Sequence, residues 1–309
     1  MKNILITTIF LLISSFINSQ DTTNTWISEW QKSTVSIGKI DTFKQGRTSI
    51  PYYNVFGTGV FFYIKKYDTI VIPCLVTAKH IFQDSLKNWF PESISVRYSW
   101  FDEQPIDKYF GFEIKLIENK NKLWFEHPDM QSDLACVPVF NIPYYAIKDN
   151  DSKVPLLPYN QIAFDVDIFE GESILIFGYP GAVGPDFNTK AIVRQGIIAW
   201  TPPKYTSNSR ILIDCEVFPG NSGGPVFTYP IGINRQGEFE LGKKVKFIGI
   251  VVERRKSETE LYSTLHPNVP IRDNLGNLII SYESIGIGVV EPSIKIRELL
   301  KFTQDEINR

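Results

Sequence analysis

Short apolar runs, separated by glycine, proline, asparagine and aspartate, recur along most of the chain. The clearest runs lie at 69–76, 134–139, 174–177, 247–251 and 287–290. Runs of about four to eight apolar residues between such breakers are typical of buried strands. No pattern of strands alternating with long helices accompanies them. The sequence therefore predicts an all-β chain.

One helix is predicted at the end of the chain. Proline is favoured at the first helical position, and Pro292 is followed by apolar residues at Ile294, Ile296, Leu299, Leu300 and Phe302. We expect a C-terminal helix over about 292–302. A short helix near 24–31 is also compatible with the pattern.

The first residues predict a targeting signal that precedes the fold. Lys2 supplies a positive charge, and Ile4–Ile13 is an apolar stretch too short to span a bilayer. Cleavage is expected after Ser19, although Ile17 replaces the small residue usual two positions earlier. Residues 1–19 are thus predicted to be a signal peptide, with an uncleaved anchor as the alternative. The mature chain, 20–309, is then secreted or periplasmic, with no stable membrane insertion after cleavage.

Composition fits a compact exported protein. Apolar residues make up 43% of the 309, and the formal net charge is −2 with no basic run, which argues against a nucleic-acid partner. The three cysteines, Cys74, Cys136 and Cys215, each lie in an apolar run and are expected to be small buried hydrophobes. A bridge between Cys74 and Cys136 stays open, and the odd count leaves at least one thiol unpaired.

The most informative segment is the turn Gly220-Asn221-Ser222-Gly223-Gly224-Pro225. Glycines allow positive φ, so the chain can bend tightly on both sides of Ser222. Such a turn can expose the hydroxyl and direct the amides of Gly220 and Ser222 at one point, where they would stabilise the oxyanion of an acyl-transfer intermediate. Because serine alone is a poor nucleophile, this hypothesis requires a base and an orienting acid elsewhere in the chain.

The chain has three histidines, and one of them suits a general base. His80 follows the apolar run 69–76, so a rigid strand end would hold it near the surface. His127 and His266 each precede a proline in polar surroundings, and we expect both to be solvated loop residues. His80 is therefore the candidate base, although without Ser222 a core histidine would be the favoured interpretation.

The candidate acid is an aspartate that leads directly into a strand. Asp133 opens the run Asp133–Val139, and a carboxylate entering a core needs a partner. Asp129 is the rival, but no apolar run begins there. Asp133 is accordingly predicted to orient His80.

These motifs resemble those of a known family. Thr77-Ala78-Lys79-His80, Asp133-Leu134-Ala135 and the Ser222 turn, in the order His, Asp, Ser, look like a trypsin-like (chymotrypsin-fold) serine protease. The branch that includes the HtrA/DegP proteases is the most similar, and further likeness lies in the sets 57–61, 174–181, 194–198, 247–251 and 287–293. The resemblance implies a double β-barrel, a polypeptide substrate, and a triad of Ser222, His80 and Asp133.

The resemblance also implies a domain layout. The first barrel would span about 34–138 and the second about 167–290, with 140–165 as the linker between them. HtrA-type proteins usually carry PDZ domains after the protease, and none is expected here. No His, Cys and Asp cluster has metal-ligand spacing, so neither a metal nor a cofactor is predicted.

The sequence allows two other interpretations. The Ser222 motif also matches the nucleophile elbow of α/β-hydrolases, whose triads run Ser, acid, His along the chain. Only His266 follows Ser222, and the chain lacks helical crossovers, so that fold is rejected. The other alternative is a catalytically inactive trypsin-like barrel that binds peptide without cleaving it.

The residues that select the substrate are predicted from the segment before Ser222 and from the strand at 247–252. Phe218, Ile248 and Ile250 are apolar and predict a preference for apolar side chains. Glu216 complicates this, because an inward carboxylate would favour Lys or Arg; we expect it to face solvent. The polar insertion at 254–284 is a candidate lid or substrate-selecting loop, with a solvated hairpin of no functional consequence as the equal alternative.

Overall fold

The computed structural model describes residues 27, 30–31, 33–46, 48–67, 69–99, 109–140, 147–148, 151–152, 157–158, 168–184, 190–203, 209–243, 245–262, 269–273 and 275–309. The predicted signal peptide and His266 lie outside these residues, as does most of the predicted linker.

The described chain is built mainly from strands. Those of the N-terminal half are β1 Thr34–Gln45, β2 Thr48–Lys66, β3 Ile70–Ala78, β4 Ser93–Ser99, β5 Tyr109–Lys115, β6 Ile117–Glu118, β7 Asn121–Lys122, β8 Phe125–Glu126, β9 Leu134–Pro138, β10 Ile147–Lys148, β11 Asp151–Ser152 and β12 Leu157–Pro158. Those of the C-terminal half are β13 Ser173–Gly178, β14 Ile192–Trp200, β15 Ile211–Asp214, β16 Pro225–Thr228, β17 Ile231–Ile233, β18 Phe239–Leu241, β19 Phe247–Glu260 and β20 Ile280–Pro292. The helices are Lys79–Phe82 and Ser293–Asn308, with 3₁₀ turns at Ser85–Lys87 and Gly181–Val183.

The N-terminal half forms one open sheet. Its strands follow the order β5-β4-β1-β2-β3-β9-β8, and β12 adds to β2 as a parallel neighbour. β12 falls within the predicted linker, so that segment contributes a strand to the first sheet. The strands β3 and β9 are buried along most of their length, because both consist of apolar residues.

The C-terminal half closes into a six-stranded barrel in the order β13-β14-β15-β20-β19-β16. The prediction of an all-β chain with two β-barrel halves and a C-terminal helix is confirmed, with the first half open. Apolar side chains of both halves and of the helix form one core cluster, and a second cluster fills the closed barrel.

The C-terminal helix is longer than predicted. It begins at Ser293, with Pro292 just outside it as the N-cap residue, and it ends at Asn308 instead of near Phe302. The apolar pattern stops at Phe302, but Gln304 Oε1 and Asn308 Oδ1 accept hydrogen bonds from backbone amides at the end of β2. These polar contacts carry the helix further. Among the described residues no helix has both the length and the apolar character needed to cross a bilayer.

All three cysteines are buried and none is bridged, so the Cys74–Cys136 disulfide is not formed. Burial raises the pKa of the Cys74 thiol well above its usual value, and burial also raises the pKa of Cys215. Thiols with raised pKa values stay protonated and unreactive. The expectation of small buried hydrophobes is confirmed.

The polar insertion after β19 is a paired ribbon. β19 and β20 continue their antiparallel pairing outward, from Lys256 opposite Ser284 to Glu260 opposite Ile280. Most of this ribbon is exposed to solvent. The insertion therefore forms a solvent-exposed hairpin.

Candidate catalytic site

His80 and Asp133 meet because two antiparallel strands bring their ends together. Ala78 at the end of β3 pairs with Leu134 at the start of β9, so the residues just beyond each strand are neighbours. His80 Nδ1 lies 2.7 Å from Asp133 Oδ2, and the His80 amide donates to Asp133 Oδ1 over 3.0 Å. A carboxylate at Nδ1 favours the tautomer with the proton on Nδ1, which leaves Nε2 free to accept a proton.

Asp129 lies beside a different histidine. Its amide donates to His127 Nδ1 over 3.0 Å, and its Oδ1 accepts from the amide of Gln131. The structure therefore brings Asp133, and not the rival Asp129, to His80.

The prediction that His127 is a solvated loop residue is wrong. His127 is 5% exposed, and its Nε2 lies 3.3 Å from Glu298 on the C-terminal helix. Burial lowers the pKa of His127, and the Glu298 carboxylate opposes that shift. Glu298 lies within the stretch predicted to be helical, but the local sequence around His127 does not indicate a contact with so distant a segment.

Ser222 lies in a turn whose backbone conformation requires glycine both before and after the serine. Gly220 and Gly223 have φ of 99° and 89°, in the left-handed region. A Cβ at Gly223 would collide with the Thr58 carbonyl and the Thr77 hydroxyl, and one at Gly220 with the Tyr179 carbonyl. Ser222 itself is half-buried.

Thr58 on β2 ties this turn to the strand that leads to His80. The Thr58 amide donates to Ser222 O over 2.8 Å, and its hydroxyl donates to Gly220 O over 2.6 Å. The Thr58 carbonyl accepts from Thr77 Oγ1 over 2.7 Å, and Thr77 is three residues before His80. Thr58 was not among the residues predicted for the site. Its signal was a threonine between two glycines, Gly57 and Gly59.

The backbone amides of the Ser222 turn differ in whether they have a hydrogen-bond acceptor. Asn221 N donates to Phe218 O, and Gly223 N donates to Val251 O. Among the hydrogen bonds of the described residues, the amides of Gly220 and Ser222 donate to no acceptor. Backbone N–H groups without an acceptor are what an oxyanion-binding turn requires.

The residues expected to select the substrate do not form one surface. Ile248 and Ile250 are fully buried and belong to different core clusters, so they offer no surface to a substrate, contrary to prediction. Their strand β19 has a core on both faces, because the closed barrel and the shared core lie on opposite sides. Phe218 is half-buried beneath Arg194, whose guanidinium lies 4.6 Å from the ring centroid, and Glu216 is exposed.

A recess of about 280 Å³ opens beside His80. Phe56 and Trp89, which both line it, pack edge to face with ring centroids 5.1 Å apart. The charged groups at its edge are already paired, since Lys87 contacts Asp84 and Lys39 contacts Asp41. The residues that line it are Lys39, Asn54, Phe56, His80, Ile81, Asp84, Lys87 and Trp89. A recess with apolar walls and neutralised charges suits an apolar side chain.

Within the described parts of the chain, no group of three or more His, Cys, Asp or Glu residues could hold a metal ion.

Comparison with known proteins identifies the family. The model of the trypsin-like peptidase domain matches residues 57–231, which is more than half of the chain. The chain therefore belongs to the trypsin-like peptidases, and its fold is the chymotrypsin-type double barrel. No curated protein sequence matches it.

One similar solved structure is a variant of the HtrA-type protease AlgW with a decapeptide. That chain is 16% identical, with a TM-score of 0.45 over 90% of the present chain. The match spans 64% of the AlgW chain.

Proposed function

We propose that this protein is an exported serine endopeptidase that cleaves polypeptides through an acyl-enzyme. The observation that carries the proposal is the His80–Asp133 pair, in which Nδ1 and Oδ2 lie 2.7 Å apart. The pair lies at the end of β3, and Thr58 links the Ser222 turn to the same strand end. Membership of the trypsin-like peptidase family supports it.

The proposed chemistry uses each residue in turn. Ser222 Oγ attacks the peptide carbonyl carbon while its proton passes to His80 Nε2, and Asp133 stabilises the resulting imidazolium. The amides of Gly220 and Ser222 bind the oxyanion. His80 then gives the proton to the departing amine, and the acyl group stays on Ser222 until water, activated by His80, releases it.

The reaction is tested directly by incubating the protein with a long unstructured polypeptide and identifying the products by mass spectrometry. We expect internal cleavage, with new amino and carboxyl termini within the substrate. Ser222→Ala protein is the control and should yield no such fragments. Binding of the polypeptide without cleavage would support the inactive peptide-binding barrel instead.

Export is proposed on the N-terminal sequence pattern. The mass of the protein recovered outside the cytoplasm tests it: we expect a chain that begins at Gln20. An extracytoplasmic chain that keeps Met1 would contradict cleavage after Ser19, and retention of all the protein in the cytoplasm would contradict export.

The recess beside His80 is proposed to seat one substrate side chain. We expect a profile of cleaved peptides to show a large apolar residue at one position next to the scissile bond. Trp89→Ala should lower kcat/KM for those peptides about tenfold, because an apolar contact of this size contributes ~1–3 kcal/mol. Trp89→Phe should keep most of the preference.

The neighbouring Phe90 provides a matched control, since it is 50% exposed and does not line the recess. Phe90→Ala should leave the profile unchanged. An unchanged profile in Trp89→Ala would show that the recess does not receive substrate.

Glu216 is proposed to play no part in substrate selection, because its side chain is exposed and an ionised carboxylate is better solvated there. We expect Glu216→Gln to leave the cleavage profile of a peptide library unchanged. Dominant cleavage after Lys or Arg that disappears in Glu216→Gln would overturn this.

A further inference from the structure

A fully buried carboxylate lies behind the His80–Asp133 pair. Glu291, near the end of β20, has no exposed surface. Burying an ionised carboxylate costs several kcal/mol unless charged partners and hydrogen bonds compensate. Glu291 Oε2 accepts from Lys295 Nζ on the C-terminal helix over 2.8 Å, and Oε1 accepts from Arg210 Nε over 3.1 Å.

The same carboxylate reaches the catalytic acid. Glu291 Oε1 also accepts a hydrogen bond from the backbone amide of Asp133, over 3.1 Å. Arg210 Nη2 donates to the carbonyl of Gln131 over 3.0 Å. Both ends of the segment 131–133 are therefore held by one ion pair, whose carboxylate is fully buried and whose guanidinium is partly exposed.

These contacts cross between the two halves of the fold. Arg210 stands just before β15, and Glu291 lies in β20, so both belong to the closed barrel. Asp133 stands before β9 of the open sheet. The segment 131–133 precedes β9, and the Asp133 carbonyl already accepts from the Lys79 amide over 3.0 Å. The contacts with Glu291 and Arg210 add a second support, from the closed barrel.

We infer that Glu291 and Arg210 are positioning residues for the triad, an inference that rests on the proposed function. They fix the backbone of Asp133 where its carboxylate bonds both the amide and Nδ1 of His80. When this tether is lost, Asp133 shifts, the imidazole is no longer held in the required tautomer, and proton transfer from Ser222 slows. Neither residue lines the recess beside His80, so we expect the loss to fall on kcat more than on KM.

Arg210→Gln tests the inference with little risk to folding, because the Arg210 side chain is 31% exposed. We expect kcat to fall on the order of 10²-fold, which is the loss typical of a catalytic group displaced by about 1 Å. KM should change less than about twofold. The far-downfield proton resonance of the His80 Nδ1–H should weaken or disappear. Arg210→Lys should restore part of kcat.

Arg255→Gln is the matched control. Arg255 pairs with Glu253, as Arg210 does, but it is 51% exposed and makes no contact with 131–133. It should leave kcat and the His80 resonance unchanged.

A second pair of variants examines Glu291 itself. Glu291→Gln alone would leave the buried Lys295 ammonium without its carboxylate partner. Both charges are therefore removed together in Glu291→Leu/Lys295→Met, because apolar replacement of a buried ion pair commonly preserves folding. We expect this double variant to lose kcat and the His80 resonance as Arg210→Gln does. Lys295→Met alone, which keeps the bond from Glu291 to Asp133, should lose much less.

The outcomes separate the two claims. If the unaltered protein cleaves no peptide, the proposed function fails, yet the His80 resonance still reports whether Arg210 and Glu291 position Asp133. If Arg210→Gln and the double variant lower the melting temperature but leave kcat and the resonance intact, the cluster only joins the two halves and the inference is wrong.

Discussion

Ser222→Ala and His80→Ala are each expected to lower turnover on the order of 10⁶-fold, and the double variant should be little worse than either alone. The effects do not add, because nucleophile and base act in one step: without the base the serine is not activated, and without the serine the base has nothing to activate. Initial rates on a peptide substrate, measured with protein free of contaminating protease, check this.

A second histidine variant is needed to separate the role of His80 from a general effect of removing a histidine. His127 is the other histidine among the described residues, and it lies beside Glu298 instead of Asp133. His127→Gln should keep kcat within a few-fold, at a temperature where the variant remains folded. Comparable losses in His127→Gln and His80→Ala would contradict the assignment of the base.

Asp133→Asn is expected to lower turnover on the order of 10⁴-fold, less than loss of Ser222 or His80. An asparagine amide would donate to His80 Nδ1, which favours the tautomer with the proton on Nε2. That nitrogen could then no longer accept the serine proton. The pH dependence of kcat/KM and the rate at saturating substrate provide the measurement.

Asp129→Asn is the matched control for this substitution. It changes the same side chain four residues earlier, and the new amide oxygen can still accept from the amide of Gln131. We expect a change of less than about tenfold. A crippled Asp129→Asn protein alongside a nearly normal Asp133→Asn protein would reverse the assignment of the acid.

The parts of the site that the sequence predicted are those fixed by strand ends. The apolar runs that became β3 and β9 were visible, and each was followed or preceded at once by a polar candidate, His80 or Asp133. Antiparallel pairing of two such strands brings their ends together. The glycines around Ser222 likewise signal a turn by their own conformational freedom, without reference to distant residues.

What the sequence did not predict depends on contacts between distant segments. His127 is buried and lies beside Glu298 of the C-terminal helix, a contact that no local pattern around His127 indicates. The bond between Glu291 and Asp133 joins residues 158 positions apart. An isolated glutamate in an apolar strand gives no local signal of its partners.

The misassigned specificity residues have a different cause. Ile248 and Ile250 lie in a strand whose two faces both pack against core, so apolar character marked burial and not a binding surface. A run that is apolar throughout is typical of a strand covered on both sides. The aromatic walls of the recess, Phe56 and Trp89, come from separate segments and were not brought together by any sequence pattern.

Covalent labelling with a fluorophosphonate shows whether Ser222 is an activated nucleophile. The probe reacts with an activated serine hydroxyl whatever the natural substrate. Intact mass should show one adduct per chain, peptide mapping should place it on Ser222, and His80→Ala protein should remain unlabelled. Folded protein that takes up no probe, or that carries it equally in His80→Ala, would contradict the account.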